Sequence, residues 1–176
     1  MSRISKIVNA RANFNNICSW VDVGSGNGQV ASEMKWINTP VKVSIDKYRA
    51  DCCLDNSWKW FDTFEEALTY KNGYSLFTGF DVIEHFDKEA GNALISMAQK
   101  TCDNILLFTP RDFLRQDIVT HPELVGNNPY QEHVSGWSVE DFVSKSFKVD
   151  ILSKFHNPQG VPGRWDALVA TWSRTA

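Results

Sequence analysis

Apolar positions recur along this chain with two periods, one helical and one alternating. Ile4, Ile7, Val8 and Phe14 fall at helical spacing around Arg11, which predicts an amphipathic helix within residues 1–16. Ile17 to Val23 is a β-rich run that ends in glycines and reads as the first strand. Gln29 to Trp36 predicts a short helix before Pro40, and Val41, Val43 and Ile45 alternate as a second strand ending at Asp46. Cys52–Leu54 reads as a short third strand. Thr63 to Tyr70 predicts a helix with Glu65 and Glu66 in its first turn, where the helix dipole favours acids, and Asn72-Gly73 stops it. Tyr74 to Phe80 is continuously apolar, a buried fourth strand. In Asp87 to Lys100, Ala90, Leu94, Met97 and Ala98 share one helix face, and Asn104 to Thr109 is a fifth strand ended by Pro110. Residues 111–136 are irregular. Ser138 caps a helix to about Ser146, with Asp141 placed for a capping box. Phe147–Leu152 and Ala167–Trp172 are two last strands, and the hairpin-like segment between them predicts an antiparallel pair.

Strands alternating with helices predict an α/β fold, a mostly parallel sheet covered on both faces. In such sheets ligands bind beyond the carboxyl ends of the strands, so the residues that follow strands one, two, four and five are the ones to search. A chain of 176 residues is one domain, with no repeat or linker to divide it. Hydrophobic residues at 43% and charged ones at 22% are ordinary globular usage. The net charge of −3 and pI near 5.8 argue against a dedicated nucleic-acid binder, and Arg3–Lys6 and Arg111–Arg115 are too sparse to change that. No apolar run reaches the roughly 20 residues of a membrane span. The four cysteines include the adjacent pair Cys52–Cys53 and no C-x-x-C spacing, so a reduced, cytoplasmic setting is expected.

The first strand runs into Asp22-Val23-Gly24-Ser25-Gly26-Asn27-Gly28. Gln29 stands where a dinucleotide fingerprint needs Gly or Ala, and no Lys-Ser/Thr pair marks a P-loop. This spacing resembles the first motif of class I S-adenosylmethionine-dependent methyltransferases. The resemblance implies that Asp22, Gly24, Ser25, Gly26 and Gly28 bind the cofactor. Asp46, at the end of the second strand, is placed to accept from ribose hydroxyls, the physics that puts an acid at this point in dinucleotide sites. Asp55 matches loosely the family position that contacts adenine, though a turn Asp before Asn56-Ser57 reads equally well. Phe80, at the mouth of the fourth strand, is placed to pack on the cofactor.

After the fourth strand, Asp81-Val-Ile-Glu84-His85 is similar to the D/E-V-L-E-H segment of the branch that contains the ubiquinone-pathway O-methyltransferases. Leu107-Phe-Thr-Pro110-Arg111 and His133-Val-Ser-Gly-Trp137-Ser-Val-Glu140 resemble later segments of that branch, in order. The resemblance implies a Rossmann-like three-layer sandwich with strand order 3-2-1-4-5-7-6 and an antiparallel last strand. Asp81, Glu84 and His85 would share one face of a helical turn, and His133 can fold back over it from the long loop. Two carboxylates and two imidazoles suit a divalent cation, such as Mg²⁺ or Mn²⁺ with waters, or Zn²⁺. The small-RNA 3′-terminal 2′-O-methyltransferases resemble this, with an E-x-x-E-H turn and a later His. Three readings stay open: a cation site at Asp81, Glu84, His85 and His133; catalysis by Asp81 with His85 or His133 as general base; or a structural turn.

Together these residues imply a methyltransferase that uses S-adenosylmethionine to methylate an oxygen of a small molecule. An RNA 2′-hydroxyl acceptor and a non-catalytic cofactor-binding accessory protein are the alternatives. Residues 111–136 form a candidate lid and substrate wall. Most of the seven tryptophans, Trp58 and Trp60 included, read as packing. His121 and His156 read as solvated, and Asn127-Asn128-Pro129-Tyr130 as a turn.

Overall fold

Alternating apolar residues on short strands leave two faces to bury, and the chain covers both. The computed structural model describes residues 2–11, 14, 16–34, 36–48, 54–126, 128–156 and 166–174. Its sheet has seven strands: β1 (Ser19–Val23), β2 (Val41–Ile45), β3 (Trp58–Phe61), β4 (Tyr74–Phe80), β5 (Cys102–Pro110), β6 (Lys148–Leu152) and β7 (Ala167–Ser173). Their order is β3-β2-β1-β4-β5-β7-β6, as the motifs imply. The pairs from β3 to β5 are parallel, and β7 runs antiparallel to both β5 and β6. β6 therefore runs with β4 and β5, and its carboxyl end opens on the same edge of the sheet as theirs.

Val21, Val23, Phe77, Ile105 and Leu107 point to one face. There they pack on Phe64 and Ala67 of α3 (Phe64–Tyr70), Ile95 and Ala98 of α4 (Lys88–Thr101) and Phe142 of α6 (Val139–Val143). The intervening residues Trp20, Leu76, Leu106 and Phe108 pack on the other face against Val8 of α1 (Arg3–Arg11) and Ala31 of α2 (Gln29–Ser32). The result is three layers. The helix starts follow from their caps. Thr63 Oγ1 accepts from the Glu66 amide, Asp87 Oδ1 from Ala90, and Ser138 and Asp141 close the expected capping box.

Some boundaries differ from the sequence reading. The third strand is Trp58–Phe61; of the expected Cys52–Leu54, Cys52 and Cys53 lie outside the described residues. Trp58 decides the placement, because its ring buries edge-to-face on Trp20 at 4.7 Å. The helix expected to reach Trp36 ends at Ser32, and the chain continues in turns that bury Met34 and Ile37. The helix expected to run to about Ser146 ends at Val143. Loop 111–136 carries a short helix, α5 (Pro122–Val125), and a 3₁₀ turn, Pro129–Gln131. Most of the expected β6–β7 hairpin connection lies outside the described residues. Among the described residues no helix is long and apolar enough to cross a membrane.

Candidate active site at the carboxyl edge of the sheet

Two polar clusters stand on this edge. The first is the loop between β1 and α2. Gly24, Gly26 and Gly28 all have positive φ. A Cβ on Gly24 would lie 2.2 Å from Val82 Cγ2, so only glycine lets this loop touch the turn after β4. A Cβ on Gly26 would meet nothing within 4 Å, so its surroundings are open. The Gly24 amide donates to the Ile45 carbonyl at 2.8 Å and ties the loop to β2. The Gly26 amide donates to Asp46 Oδ2 at 2.6 Å, and the Tyr48 amide to Asp46 Oδ1 at 2.8 Å. Each carboxylate oxygen has a further lone pair toward a ligand.

Asp22 is buried within β1. The β1–β4 register sets Thr78 opposite it, and the Thr78 hydroxyl donates to Asp22 Oδ1 at 2.5 Å while accepting from Trp20 Nε1 at 2.8 Å. Burial outweighs these bonds and raises the Asp22 carboxyl to about 7. Ser25 Oγ donates to the Asp22 carbonyl at 2.8 Å. Asp55 is exposed and forms an Asx turn, with the Ser57 hydroxyl and amide bonded to its Oδ1. Those bonds hold its carboxyl below the usual range. Phe80 is buried among Leu106, Phe108 and Phe155 on the α1–α2 face of the sheet.

The second cluster follows β4. Ile83–His85 is a 3₁₀ turn, and it buries Glu84. Thr109, at the end of β5, donates to Glu84 Oε2 at 2.9 Å, whereas the buried Oε1 has no partner. Burial first, and the charge of Asp81 second, push the Glu84 carboxyl well above the ordinary carboxyl range. The segment 132–137 is clamped onto this turn. The Val134 and Ser135 amides donate to the Glu84 carbonyl at 2.9 and 3.1 Å, and Trp137 Nε1 donates to the Ile83 carbonyl at 3.2 Å. Trp137 packs so closely on Gly91 that a Cβ there would sit 2.5 Å from the indole, and Lys88 Nζ lies 3.9 Å from the ring centre. Trp137 thereby anchors the end of the segment that carries His133.

His85 and His133 meet edge to face, with ring centres 4.8 Å apart. Each Nδ1 is engaged by a backbone carbonyl, His85 by Glu132 at 3.0 Å and His133 by Leu114 at 2.7 Å. For His133 this leaves Nε2 as the ligand atom, with its direction fixed by the bond on Nδ1, while the His85 ring also interacts with the Asp81 backbone. One atom each from Glu84, His85 and His133 lie within 4.8 Å of one another. Burial lowers both imidazoles, His133 to about 4, so both are neutral at pH 7, the form that ligates a cation. The orphaned Glu84 Oε1 fits the same reading, since an unpaired buried carboxylate is costly and a cation would neutralise it.

Of the four residues read as a cation site, Glu84, His85 and His133 converge. Asp81 turns its Oδ1 toward His156 Nε2, 3.9 Å away. His156 is not solvated: its ring packs on Phe155 and Phe108 at 4.9 and 5.8 Å. Thr78, Thr109 and His156 were not anticipated. His156 follows a strand that ends on the ligand edge, and that position was its one available signal.

Neither a family model nor a curated protein sequence matches this chain. Solved structures do. The small RNA methyltransferase HEN1 aligns with a TM-score of 0.62 at 14% identity, over 99% of this chain and 25% of that one. The chain thus spans a quarter of HEN1's length. A putative methyltransferase of Bacillus halodurans aligns with a TM-score of 0.63 at 14% identity, over 97% of this chain and 98% of that one. The N-methyltransferase NodS of Bradyrhizobium japonicum aligns at 0.59 and 11%, over 96% and 90%. At these identities the likeness establishes the class I methyltransferase fold.

Proposed function

We propose that the chain is an S-adenosylmethionine-dependent methyltransferase that methylates a hydroxyl oxygen of a small molecule, assisted by a divalent cation held by Glu84, His85 and His133. One observation carries this reading. At the carboxyl end of β4 the buried Glu84 carboxyl, one oxygen of which has no partner, brings an oxygen within 4.8 Å of the ligand atoms of two neutral imidazoles. A structural turn would leave Glu84 Oε1 unpaired for no return. General-base catalysis by His133 is disfavoured, because an imidazole lowered to about 4 takes a hydroxyl proton poorly.

The open space at Gly26 and the loop tied to Asp46 suit the cofactor, which supplies an electrophilic methyl group when bound. Asp22, Gly24, Ser25, Gly26, Gly28 and Asp46 would hold it; Asp55 and Phe80 sit further out, as a turn and as core. A cation at the histidines would supply positive charge against the acceptor oxygen. The chain's own task is alignment. Holding donor and acceptor in line is worth roughly 7–11 kcal/mol of barrier, and the rigid turn 81–85 under segment 132–137 is built for that.

The likeness to HEN1 supports a second reading, methylation of an RNA 2′-hydroxyl. The net charge of −3 weighs against it. Calorimetry with S-adenosylhomocysteine, and electron paramagnetic resonance with Mn²⁺, test the proposal. Both ligands bind the wild-type chain, and Glu84→Gln loses Mn²⁺ affinity at least tenfold while keeping the cofactor product. A folded chain that binds neither overturns the reading. Methyl transfer to an RNA oligonucleotide, but to no small hydroxylic compound, replaces it with the second one.

A further inference from the structure

Away from the carboxyl edge, the amino-terminal half of the sheet carries a separate cleft of about 450 Å³. That is within the roughly 300–1,000 Å³ of small-ligand sites. Strand register explains its floor. Trp20 on β1, Lys42 on β2 and Trp58 on β3 form one cross-strand row near the start of their strands, and all three line the cleft. Residues in one row project to the same face, here the face covered by α1 and α2. The two indoles meet edge to face at 4.7 Å, and Met34, in the turns after α2, adds to the apolar floor. Lys42 is the exception. It is a charge set between two buried tryptophans, and among the described residues it makes no ion pair.

Asp55 lines the same cleft with the opposite charge. The turn from Asp55 to Ser57 precedes β3, so this acid stands at the amino edge, across the sheet from the glycine loop. Ser57 bonds to its Oδ1 and leaves Oδ2 for another donor. Those bonds lower the Asp55 carboxyl, and the charge of Lys42 adds to them. Leu54 stands between the cleft and the cofactor loop, since a Cβ on Gly28 would lie 2.3 Å from its Cγ.

We infer that this cleft binds an aromatic α-amino acid, its ring against Trp20 and Trp58, its carboxylate toward Lys42 and its ammonium toward Asp55. A plain carboxylate would meet the charge of Asp55, and a plain amine that of Lys42, whereas a zwitterion satisfies both. A ring suits a floor of two indoles and a thioether. The inference does not depend on the proposed methyl transfer.

The test titrates L-phenylalanine, hydrocinnamate and phenethylamine into the full chain labelled with ¹⁵N-tryptophan, and follows the indole resonances of Trp20 and Trp58 by NMR. Phenylalanine shifts both, and each analogue, with one charge only, binds at least fivefold more weakly. Lys42→Met keeps the stem of the side chain, and Asp55→Asn keeps the turn with Ser57. Each lowers phenylalanine affinity about fivefold, the size of one partly exposed ion pair. Lys42→Met binds phenethylamine no more weakly than the wild type does, and Asp55→Asn does the same for hydrocinnamate, which a loosened cleft would not. Saturating S-adenosylhomocysteine leaves phenylalanine affinity within twofold. Equal affinity for the three compounds makes the cleft an unselective apolar groove, displacement by S-adenosylhomocysteine makes it part of the cofactor site, and unmoved indoles leave it without a ligand of this class. Any one of these outcomes overturns the inference.

Discussion

The glycine loop after β1 and the turn after β4 occupy the same edge of one sheet, yet they handle their polar groups in opposite ways. Around the loop, Asp22 is bonded by Thr78 and Asp46 by two backbone amides, and open space lies beside Gly26. Near the turn, Glu84 Oε1, Asp81 Oδ1 and His156 Nε2 are buried with no partner. The first region is finished before a ligand arrives. The second carries unmet hydrogen bonding, each group costing free energy until something fills it. A loop that wraps a large, flexible cofactor needs a preformed backbone. A turn that must grip a small acceptor gains specificity from groups that only the correct ligand satisfies.

The sharpest way to break this contrast is Gly24→Ala, because Gly24 is where the two regions touch. The added Cβ would lie 2.2 Å from Val82 Cγ2 at a φ of +69°. Overpacking and left-handed strain together cost about 4 kcal/mol. Val82 precedes the Ile83–His85 turn, so the displacement reaches both regions. Chemical denaturation shows the stability loss, and titrations show S-adenosylhomocysteine and Mn²⁺ affinity falling together. If cofactor affinity falls while Mn²⁺ binds unchanged, the regions are independent.

The next effect concerns Asp22, on β1 just ahead of the loop, which is held at a cost. Its carboxyl is raised from 3.8 to about 7 by burial. A raised acid contributes stability in full below its unfolded value and loses it as pH rises toward the folded one. The wild-type chain therefore becomes less stable relative to Asp22→Asn between about pH 4 and pH 7, by at most about 4 kcal/mol. The carboxamide of the Asp22→Asn variant still accepts from Thr78, so the comparison isolates the charge. Parallel stability profiles for the two proteins across that window would show that Asp22 is as well solvated as an exposed acid.

How much of this was legible in the sequence tracks how local each feature is. Tyr74–Phe80 and the Ser138–Asp141 capping box depend on neighbours a few residues away, and both are where the pattern places them. The third strand was displaced because Cys52–Leu54 is apolar, whereas Trp58-Lys59-Trp60-Phe61 gains its place from Trp20 on β1. Glu84 and His85 share one turn, so their pairing could be read from spacing. His133 reaches them across a long loop, and only the family resemblance brought it in. Thr109 stands within the Leu107–Arg111 segment, but its bond to Glu84 depends on where β5 ends beside the turn after β4. His156 depends on the whole sheet, since β6 must run with β4 before the residue after it can face Asp81.

The smallest effect on stability gives the cleanest test of the contrast. Gly26→Ala makes the same chemical change as Gly24→Ala, two residues away, on the side where a Cβ meets nothing within 4 Å. The only cost to the free protein is the positive φ of 53°, about 1 kcal/mol. If that open space is where the cofactor lies, the new methyl group enters it, and S-adenosylhomocysteine affinity falls tenfold or more while Mn²⁺ affinity stays within twofold. The pair of alanine variants then separates the two roles of the glycines, one keeping the loop against the acceptor turn and the other keeping space for a ligand. A Gly26→Ala protein that loses as much stability as Gly24→Ala, or that binds the cofactor product as the wild type does, removes the distinction between a finished region and a waiting one.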